Sequence, residues 1–200
     1  MDDRNRLYMV RHGQVVGYDR FPAVGHTDID ITEVGILQME HLAERLRLAN
    51  LKAIYASDLK RSVRGAQIIA RHHNVPLISL PELREMYFGA WEGMSMSEIQ
   101  ERYPGELERR KDDPSNYSTP GNGESVKALA ARIIPCLEGI LEDQKGSDIL
   151  LVGHGGINRV ILCHALGLDL ADMINLQQDY GCLNIIDYRV DSRLVRLING

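Results

Sequence analysis

The chain has 200 residues, enough for one domain with a single filled core but too few for two full domains. It carries 23 Lys and Arg against 28 Asp and Glu, a formal net charge of −5, so it lacks the positive field that a nucleic-acid partner requires. The charged N-terminal lead contains acids and the apolar runs are short, which argues against a signal peptide and a membrane partner. Three widely spaced cysteines in apolar surroundings, Cys136, Cys163 and Cys182, predict buried thiols and a cytoplasmic location.

Short apolar runs alternate with helical patterns along the chain. Three runs are typical of strands buried on both faces: residues 7–10, the run around Ile54 and the run around Leu150. Three stretches with apolar residues at helical spacing predict helices: from an N-cap at Thr32 to Leu46, from about Lys60 to His73, and from Val126 to Leu141. Pro135 lies inside the last stretch, where it removes a backbone hydrogen bond, so we expect a kink near Ala131 or a break.

The order of the predicted elements indicates the fold. Alternating residues on either side of a turn at Asp191 and Ser192 predict two final strands. Strands that alternate with helices predict an α/β fold, a three-layer sandwich with a mostly parallel central sheet flanked by helices. The least regular stretch, Ser95 to Gly123, predicts a cap-like insertion over one end of the sheet, within a single domain of residues 1–200.

Polar residues follow the predicted strands at the points where each strand ends. They comprise two arginines, two histidines and their glycines: Arg11, His12 and Gly13 after the first strand, Arg61 after the second, and His154 and Gly155 after the run around Leu150. Function gathers at the carboxyl ends of strands in open α/β sheets, so we expect these groups to share one crevice. Such a set of potential cations in an acidic protein suits a compact dianion such as a phosphate monoester.

Other uses of the same residue types are less consistent with the sequence. Neither His154 nor His164 has a carboxylate at metal-ligand spacing, so no metal or other cofactor is expected. The remaining histidines are interpreted as surface or core residues: His26, His41, His72, His73 and His164. Asn158 stands where a dinucleotide-binding loop has its third glycine, and no GxxxxGK[ST] loop occurs.

A phosphate pocket also needs a group that moves protons, and three glutamates are candidates. Glu82 and Glu92 are interpreted as solvated surface residues. Glu85 differs because an apolar and aromatic run follows it: Met86, Tyr87, Phe88 and Trp91. These side chains would partly desolvate the Glu85 carboxyl, as suits a general acid.

These motifs resemble the histidine phosphatase superfamily, in its phosphoglycerate mutase-like branch. The family's RHG, TxxG, SxLxR and second-histidine motifs match residues 11–13, Thr32 and Gly35, Ser57 to Arg61, and His154 with Gly155, while Glu85 lies in the acid-bearing segment. The resemblance implies that His12 attacks phosphorus while Arg11, Arg61 and His154 hold the phosphoryl oxygens beside Gly13 and Gly155. It further implies that Glu85 first gives a proton to the leaving alcohol and then takes one from water, without a metal.

Within the superfamily, three segments most resemble the α-ribazole phosphatases: "LPELREMYFGAWE", Asn122 to Glu124, and Gly181-Cys182. Under the predicted cap we expect aromatic and amide side chains to face a nucleoside: Tyr87, Trp91, Tyr117, Asn116 and Asn122. We also expect Arg109, Arg110 and Lys111 to be neutralised by neighbouring acids on a solvated helix. The expected partner is therefore a small phosphorylated metabolite, α-ribazole 5′-phosphate rather than 3-phosphoglycerate.

Several alternatives stay open at this point. The chain lacks the longer insertions of glycolytic mutases, which favours a hydrolase, but a phosphoglycerate mutase or a broad-specificity phosphatase remains an alternative. Val15, Tyr18 and Gly65 replace a threonine, an asparagine and a threonine that are common in the family. Those changes keep a non-catalytic phosphate-binding or scaffold protein as another alternative. A homodimer is possible on the sequence alone.

Overall fold

The computed structural model describes residues 4–20 and 24–200. Its strands are β1 (Asn5–Arg11), β2 (Leu51–Ala56), β3 (Leu77–Ser79), β4 (Asp148–Gly153), β5 (Leu183–Tyr188) and β6 (Arg193–Leu197). Its α-helices are α1 (Glu33–Leu46), α2 (Lys60–Ala70), α3 (Met96–Arg102), α4 (Glu106–Asp112), α5 (Val126–Asp143) and α6 (Gly155–Leu166). Within the described ranges, no helix combines the length and apolar character that crossing a bilayer requires.

The six strands form one sheet in the order β3-β2-β4-β1-β5-β6. Strands β1 to β4 are parallel to one another, whereas β5 is antiparallel to both β1 and β6. The prediction of a mostly parallel sheet is therefore wrong, and the sheet is mixed. After α6 the chain returns to the edge where β1 ends, so β5 begins beside Val10, with Leu183 as its partner, and runs backwards. The turn at residues 189–192 then reverses the chain once more.

Helices cover both faces of the sheet, as predicted. Alternate strand residues point to opposite faces, so Leu7, Met9 and Leu151 pack in one cluster with α5 and α6. Val10, Ile54 and Val152 belong to a second cluster, with α1 and α2. The two clusters fix the sheet between its helical layers and hold the ends of β1, β2 and β4 in register.

The helices agree with the sequence-based predictions except at the end of α2 and at Pro135 in α5. The Thr32 side chain accepts a hydrogen bond from the Gly35 backbone N–H and so caps α1, as expected. Helix α2 ends at Ala70, three residues before the predicted end at His73. Helix α5 is continuous through Pro135, so the predicted break does not occur. Pro135 and Ala131 both lie on the exposed face, where water can solvate the carbonyl that loses its partner, while Ile133 and Leu137 stay buried.

The segment 95–123 contains α3 and α4 and its own small core. Trp91, Ile99 and Tyr117 are buried together there, and Phe88 and Leu107 pack against them. The Ser95 side chain and Glu98 form a reciprocal capping box at the start of α3. This segment is therefore more regular than its composition suggests.

Candidate active site

Three neighbouring parallel strands end at one edge of the sheet, beside a pocket of about 340 Å³. His154 and Gly13 lie behind the wall of this pocket, whereas the other five predicted site residues line it: Arg11, His12, Arg61, Glu85 and Gly155. His12 follows β1, Arg61 lies in the first turn of α2 after β2, and His154 separates β4 from α6. Glu85 reaches the same pocket from the loop after β3. A larger surface groove of about 820 Å³ lies near Tyr188, at the far ends of α5 and α6, and contains none of these residues.

His12 is buried, and one of its two ring nitrogens forms a hydrogen bond within the protein while the other does not. Its backbone N–H donates to the Gly153 carbonyl over 3.1 Å, which ties the end of β1 to the end of β4. Its Nδ1 lies 2.8 Å from the Gly13 carbonyl oxygen, which can only accept, so Nδ1 carries the proton. In the neutral ring, Nε2 therefore presents a lone pair. Burial first, and then the charges of Arg61 and Arg11, hold the pKa of His12 well below its ordinary value, so the ring stays neutral.

His154 is fully buried beside His12, with 5.0 Å between the two ring centres. Arg61 donates from Nε to His154 Nδ1 over 3.3 Å, so His154 Nε2 carries the proton and donates to Ser57 Oγ over 2.7 Å. Burial first, and then Arg61, hold the pKa of His154 well below its ordinary value as well. Both ring nitrogens thus have protein partners, and His154 fixes Arg61 against the pocket wall.

These two neutral histidines make stability depend on pH. The unfolded chain binds protons on them as the pH falls through about 6.5, whereas the folded chain does not until well below that value. We therefore expect the free energy of unfolding to fall below pH 6.5, by up to about 1.4 kcal/mol per pH unit for each histidine. Urea unfolding between about pH 7.5 and about pH 5.5 measures this slope.

The matched control is His12→Asn, which removes one of the two titrating rings. Its slope below pH 6.5 should be shallower than that of the wild type by up to about 1.4 kcal/mol per pH unit. An identical slope in both proteins would contradict the assignment of a neutral, buried His12.

The two predicted arginines are held by backbone carbonyls rather than by carboxylates. Arg61 is buried and donates to the Gly25 and Thr27 carbonyls. Arg11 donates from Nη1 to the Gln178 carbonyl over 2.6 Å, and its guanidinium lies 3.8 Å from the Tyr180 ring centre. The Arg11 Nε is buried without a partner. A buried donor without a partner is unfavourable, and an oxygen of an anionic ligand would supply the acceptor that this N–H lacks.

Glu85 lies at the N-terminus of α6. One carboxylate oxygen accepts from the Gly156 N–H over 3.0 Å and the other from the Met86 N–H over 2.8 Å. A methyl group on Gly156 would overlap the Glu85 carboxylate, so glycine at this position lets the carboxylate lie against the N-terminus of α6. A second close approach occurs between Gly13 and Gly35, where a side chain on Gly13 would overlap the Gly35 carbonyl. This contact explains the glycine at position 13, and the glycine of the TxxG motif is explained by the Gln14 carbonyl, which a side chain on Gly35 would overlap.

Residues that the sequence analysis did not select hold the Glu85 segment in place. Arg132 donates to the carbonyls of residues 82, 84 and 85 and forms a bidentate pair with Glu124. His26 Nε2 donates to the Glu85 carbonyl over 2.8 Å. Glu92, interpreted from sequence as a solvated residue, accepts from the His26 N–H and the Thr27 hydroxyl. It therefore anchors the loop whose carbonyls hold Arg61.

The wall opposite the strand ends differs from the prediction. Trp91 and Tyr117 are buried in the small core of segment 95–123 and do not line the pocket; Tyr18, Phe88 and Tyr180 line it instead. Asn116 donates to Asp113, its neighbour on the surface. The expectation that acids neutralise Arg110 is also wrong, because Arg110 lines the pocket and the described residues give it no ion pair. Arg159, which the sequence analysis missed, lines the pocket as well.

A sequence model of the histidine phosphatase superfamily (branch 1) matches residues 7–200. The chain belongs to the histidine phosphatase superfamily. This histidine phosphatase is 26% identical over 204 residues to the adenosylcobalamin/α-ribazole phosphatase of Escherichia coli (strain K12), covering 98% of this chain and 96% of that protein. It is 34% identical over 157 residues to the metal-independent phosphoserine phosphatase of Arabidopsis thaliana, covering 78% of this chain and 66% of that protein.

Solved structures agree with the sequence relatives. The crystal structure of the α-ribazole phosphatase from Shigella flexneri superposes on this histidine phosphatase with a TM-score of 0.88 at 26% identity, covering 98% of this chain and 96% of that one. The predicted family is thus confirmed. So is the prediction that the protein is an enzyme that hydrolyses phosphomonoesters.

Proposed function

We propose that this histidine phosphatase acts through a phosphorylated His12. The observation that carries the proposal is the hydrogen bond from His12 Nδ1 to the Gly13 carbonyl, which leaves a neutral Nε2 facing a pocket with Arg11 and Arg61. The Nε2 lone pair attacks phosphorus and the bond from phosphorus to the alcohol oxygen breaks. Water then attacks the phosphohistidine, which releases inorganic phosphate and restores the free ring.

The phosphoryl oxygens would bind donors that already face the pocket. Arg11 offers its unpartnered Nε, Arg61 offers N–H groups beyond those bound to carbonyls, and the N-terminus of α6 at Gly155 adds backbone dipoles. His154 supports this set by holding Arg61. Because these groups are positioned before the substrate arrives, they stabilise charge in the transition state without a metal.

Glu85 is the proposed proton donor and acceptor. As a carboxylic acid it gives its proton to the leaving alkoxide, and as a carboxylate it then takes a proton from the attacking water. Its two backbone donors, together with Arg132 and His26 behind it, support a fixed position at the pocket. One residue can serve both steps because the water enters where the alcohol has left.

We further propose that segment 95–123 is a cap within a single domain and that the alcohol lies beneath it. Phe88, which packs against the small core of this segment, and Tyr18 and Tyr180 give the pocket an aromatic lining. Such a lining suits a heteroaromatic nucleoside. Together with the names of the E. coli and Shigella relatives, this lining supports α-ribazole 5′-phosphate as the substrate. The cytoplasmic location stays a prediction.

Turnover of a panel of phosphorylated metabolites, in buffer containing a strong chelator, tests the proposal. We expect release of inorganic phosphate, with a higher kcat/KM for α-ribazole 5′-phosphate than for 3-phosphoglycerate. Conversion of 3- to 2-phosphoglycerate primed by the bisphosphate would instead identify a mutase. Phosphate binding without turnover of any panel member would identify a non-catalytic protein.

A further inference from the structure

Tyr180 lies against both functional side chains at the end of β1. Its ring centre is 3.8 Å from the guanidinium carbon of Arg11 and 5.6 Å from the ring centre of His12. Tyr180 itself comes from the loop between α6 and β5, three residues before β5 begins at Leu183. One side chain from a distant part of the chain therefore lies beside the proposed nucleophile and a proposed phosphate ligand.

The backbone on either side of Tyr180 is tied to the end of β1. The Gly181 N–H donates to the carbonyls of Arg11 and His12 over 3.2 Å each, and the Arg11 N–H donates to the Cys182 carbonyl over 3.2 Å. Gly181 has a φ of +69°, a conformation that favours glycine. The Tyr180 side chain thus leaves a backbone that is fixed relative to the two residues its ring contacts.

The Arg11 guanidinium needs more than one contact to keep a single orientation. Its Nη1 donates to the Gln178 carbonyl over 2.6 Å. One hydrogen bond fixes one nitrogen and leaves the guanidinium plane free to turn about it. The Tyr180 ring supplies a second constraint, because the guanidinium lies over its face at contact distance. Gln178 and Tyr180 together therefore determine both the position and the plane of the guanidinium.

This orientation directs the free donor of Arg11 to the place where a phosphoryl group would bind. The Arg11 Nε is buried without an acceptor, and it would lie 3.5 Å from a Cβ on Gly155, the first residue of α6. An anion at this point would accept from the Nε–H and also meet the positive end of the α6 dipole. If the guanidinium plane turned, the N–H would no longer point there.

We propose that Tyr180 is a positioning residue whose ring fixes the Arg11 guanidinium for the transferring phosphoryl group. The inference rests on the proposed phosphohistidine hydrolysis. Tyr180 acts through the face of its ring, so its hydroxyl transfers no proton in either step. Because every substrate carries the same phosphoryl group, loss of the ring should impair all phosphomonoesters alike, whereas a loss at Glu85 depends on the leaving group.

Two variants of Tyr180 test this role on an alkyl phosphate, an aryl phosphate and inorganic phosphate. In Tyr180→Leu we expect kcat/KM to fall by ~10-fold on both substrates, the effect of one partly desolvated cation–π contact. Calorimetry should show a similar loss of affinity for inorganic phosphate, a measurement that needs no turnover. Tyr180→Phe keeps the aromatic face and should stay within about 3-fold of wild type in every assay.

A double-mutant cycle with Arg11→Met shows whether Tyr180 acts through Arg11. In the Arg11→Met background, Tyr180→Leu should cost less than about 2-fold more on p-nitrophenyl phosphate, because the cation that the ring holds is gone. Tyr18→Leu is the matched control. Tyr18 lines the same pocket, and no guanidinium of residues 4–20 or 24–200 packs on its ring, so its effect should be the same in both backgrounds.

Two results would overturn the inference. One is an equal loss from Tyr180→Leu with and without Arg11. The other is a Tyr180→Phe variant as impaired as Tyr180→Leu, since the hydroxyl would then be the functional group. If Tyr180→Leu does not fold, Tyr180→Met replaces the ring with an unbranched, adaptable side chain and should show the same loss. A wild type that binds inorganic phosphate but hydrolyses nothing would refute the phosphohistidine hydrolysis itself, and the phosphate affinities of the variants would still decide the role of Tyr180.

Discussion

Replacing His12 with alanine should reduce turnover by at least ~10⁴-fold, because the variant loses the nucleophile on which both steps depend. The other imidazole nearby cannot take over its role. His154 has one ring nitrogen against Arg61 and the other against Ser57, and it is fully buried. The remaining arginines still bind the dianion, so we expect inorganic phosphate to bind the variant while turnover is lost.

The measurement is steady-state turnover of p-nitrophenyl phosphate, with acid-labile phosphate trapped on the protein in a rapid quench. We expect the trapped phosphate on His12 in the wild type and no trapped phosphate in His12→Ala. His41→Ala is a matched control, since His41 is an exposed histidine on α1. Covalently bound phosphate on a residue other than His12, or full activity in His12→Ala, would refute the phosphohistidine mechanism.

The convergence of His12, Arg61 and His154 could be predicted because it follows from topology. Each of the three lies just after a buried apolar run, and parallel strands end at the same edge of a sheet. The Thr32 cap was predictable for a similar reason, since a cap involves only residues three apart. Local sequence patterns are therefore enough to predict most residues of the site.

Contacts between distant parts of the chain could not be predicted. Arg132, which pairs with Glu124, binds the backbone carbonyls of Arg84 and Glu85 from a helix more than 40 residues further along the chain, and no sequence pattern links Arg132 to that loop. The direction of the Arg110 side chain depends on the rotation of α4 about its axis, and Leu107 of α4 packs against the core that contains Ile99 and Tyr117. Sequence spacing pairs Arg110 with Glu106, whereas in the fold Glu106 binds Arg109 and Tyr117.

Replacing Glu85 with glutamine separates proton transfer from phosphate binding. The amide has the size of the carboxylate and can still accept a hydrogen bond from Met86 or Gly156, but it can neither donate an acidic proton to an alkoxide nor deprotonate water. We expect hydrolysis of alkyl phosphates to slow by ~10²–10⁴-fold. The loss on p-nitrophenyl phosphate should be smaller, because nitrophenolate is a stable leaving group and needs little protonation.

Rates on an alkyl and an aryl phosphate, measured for wild type, Glu85→Gln and the exposed control Glu82→Gln, test this separation. In Glu85→Gln, release of p-nitrophenol should precede breakdown of the phosphohistidine, because dephosphorylation still needs a base. Phosphoenzyme should therefore accumulate with the aryl substrate, since its formation is now faster than its hydrolysis. Equal losses on both substrates with no phosphoenzyme would make Glu85 a positioning residue for the N-terminus of α6, and the proton would then require another donor.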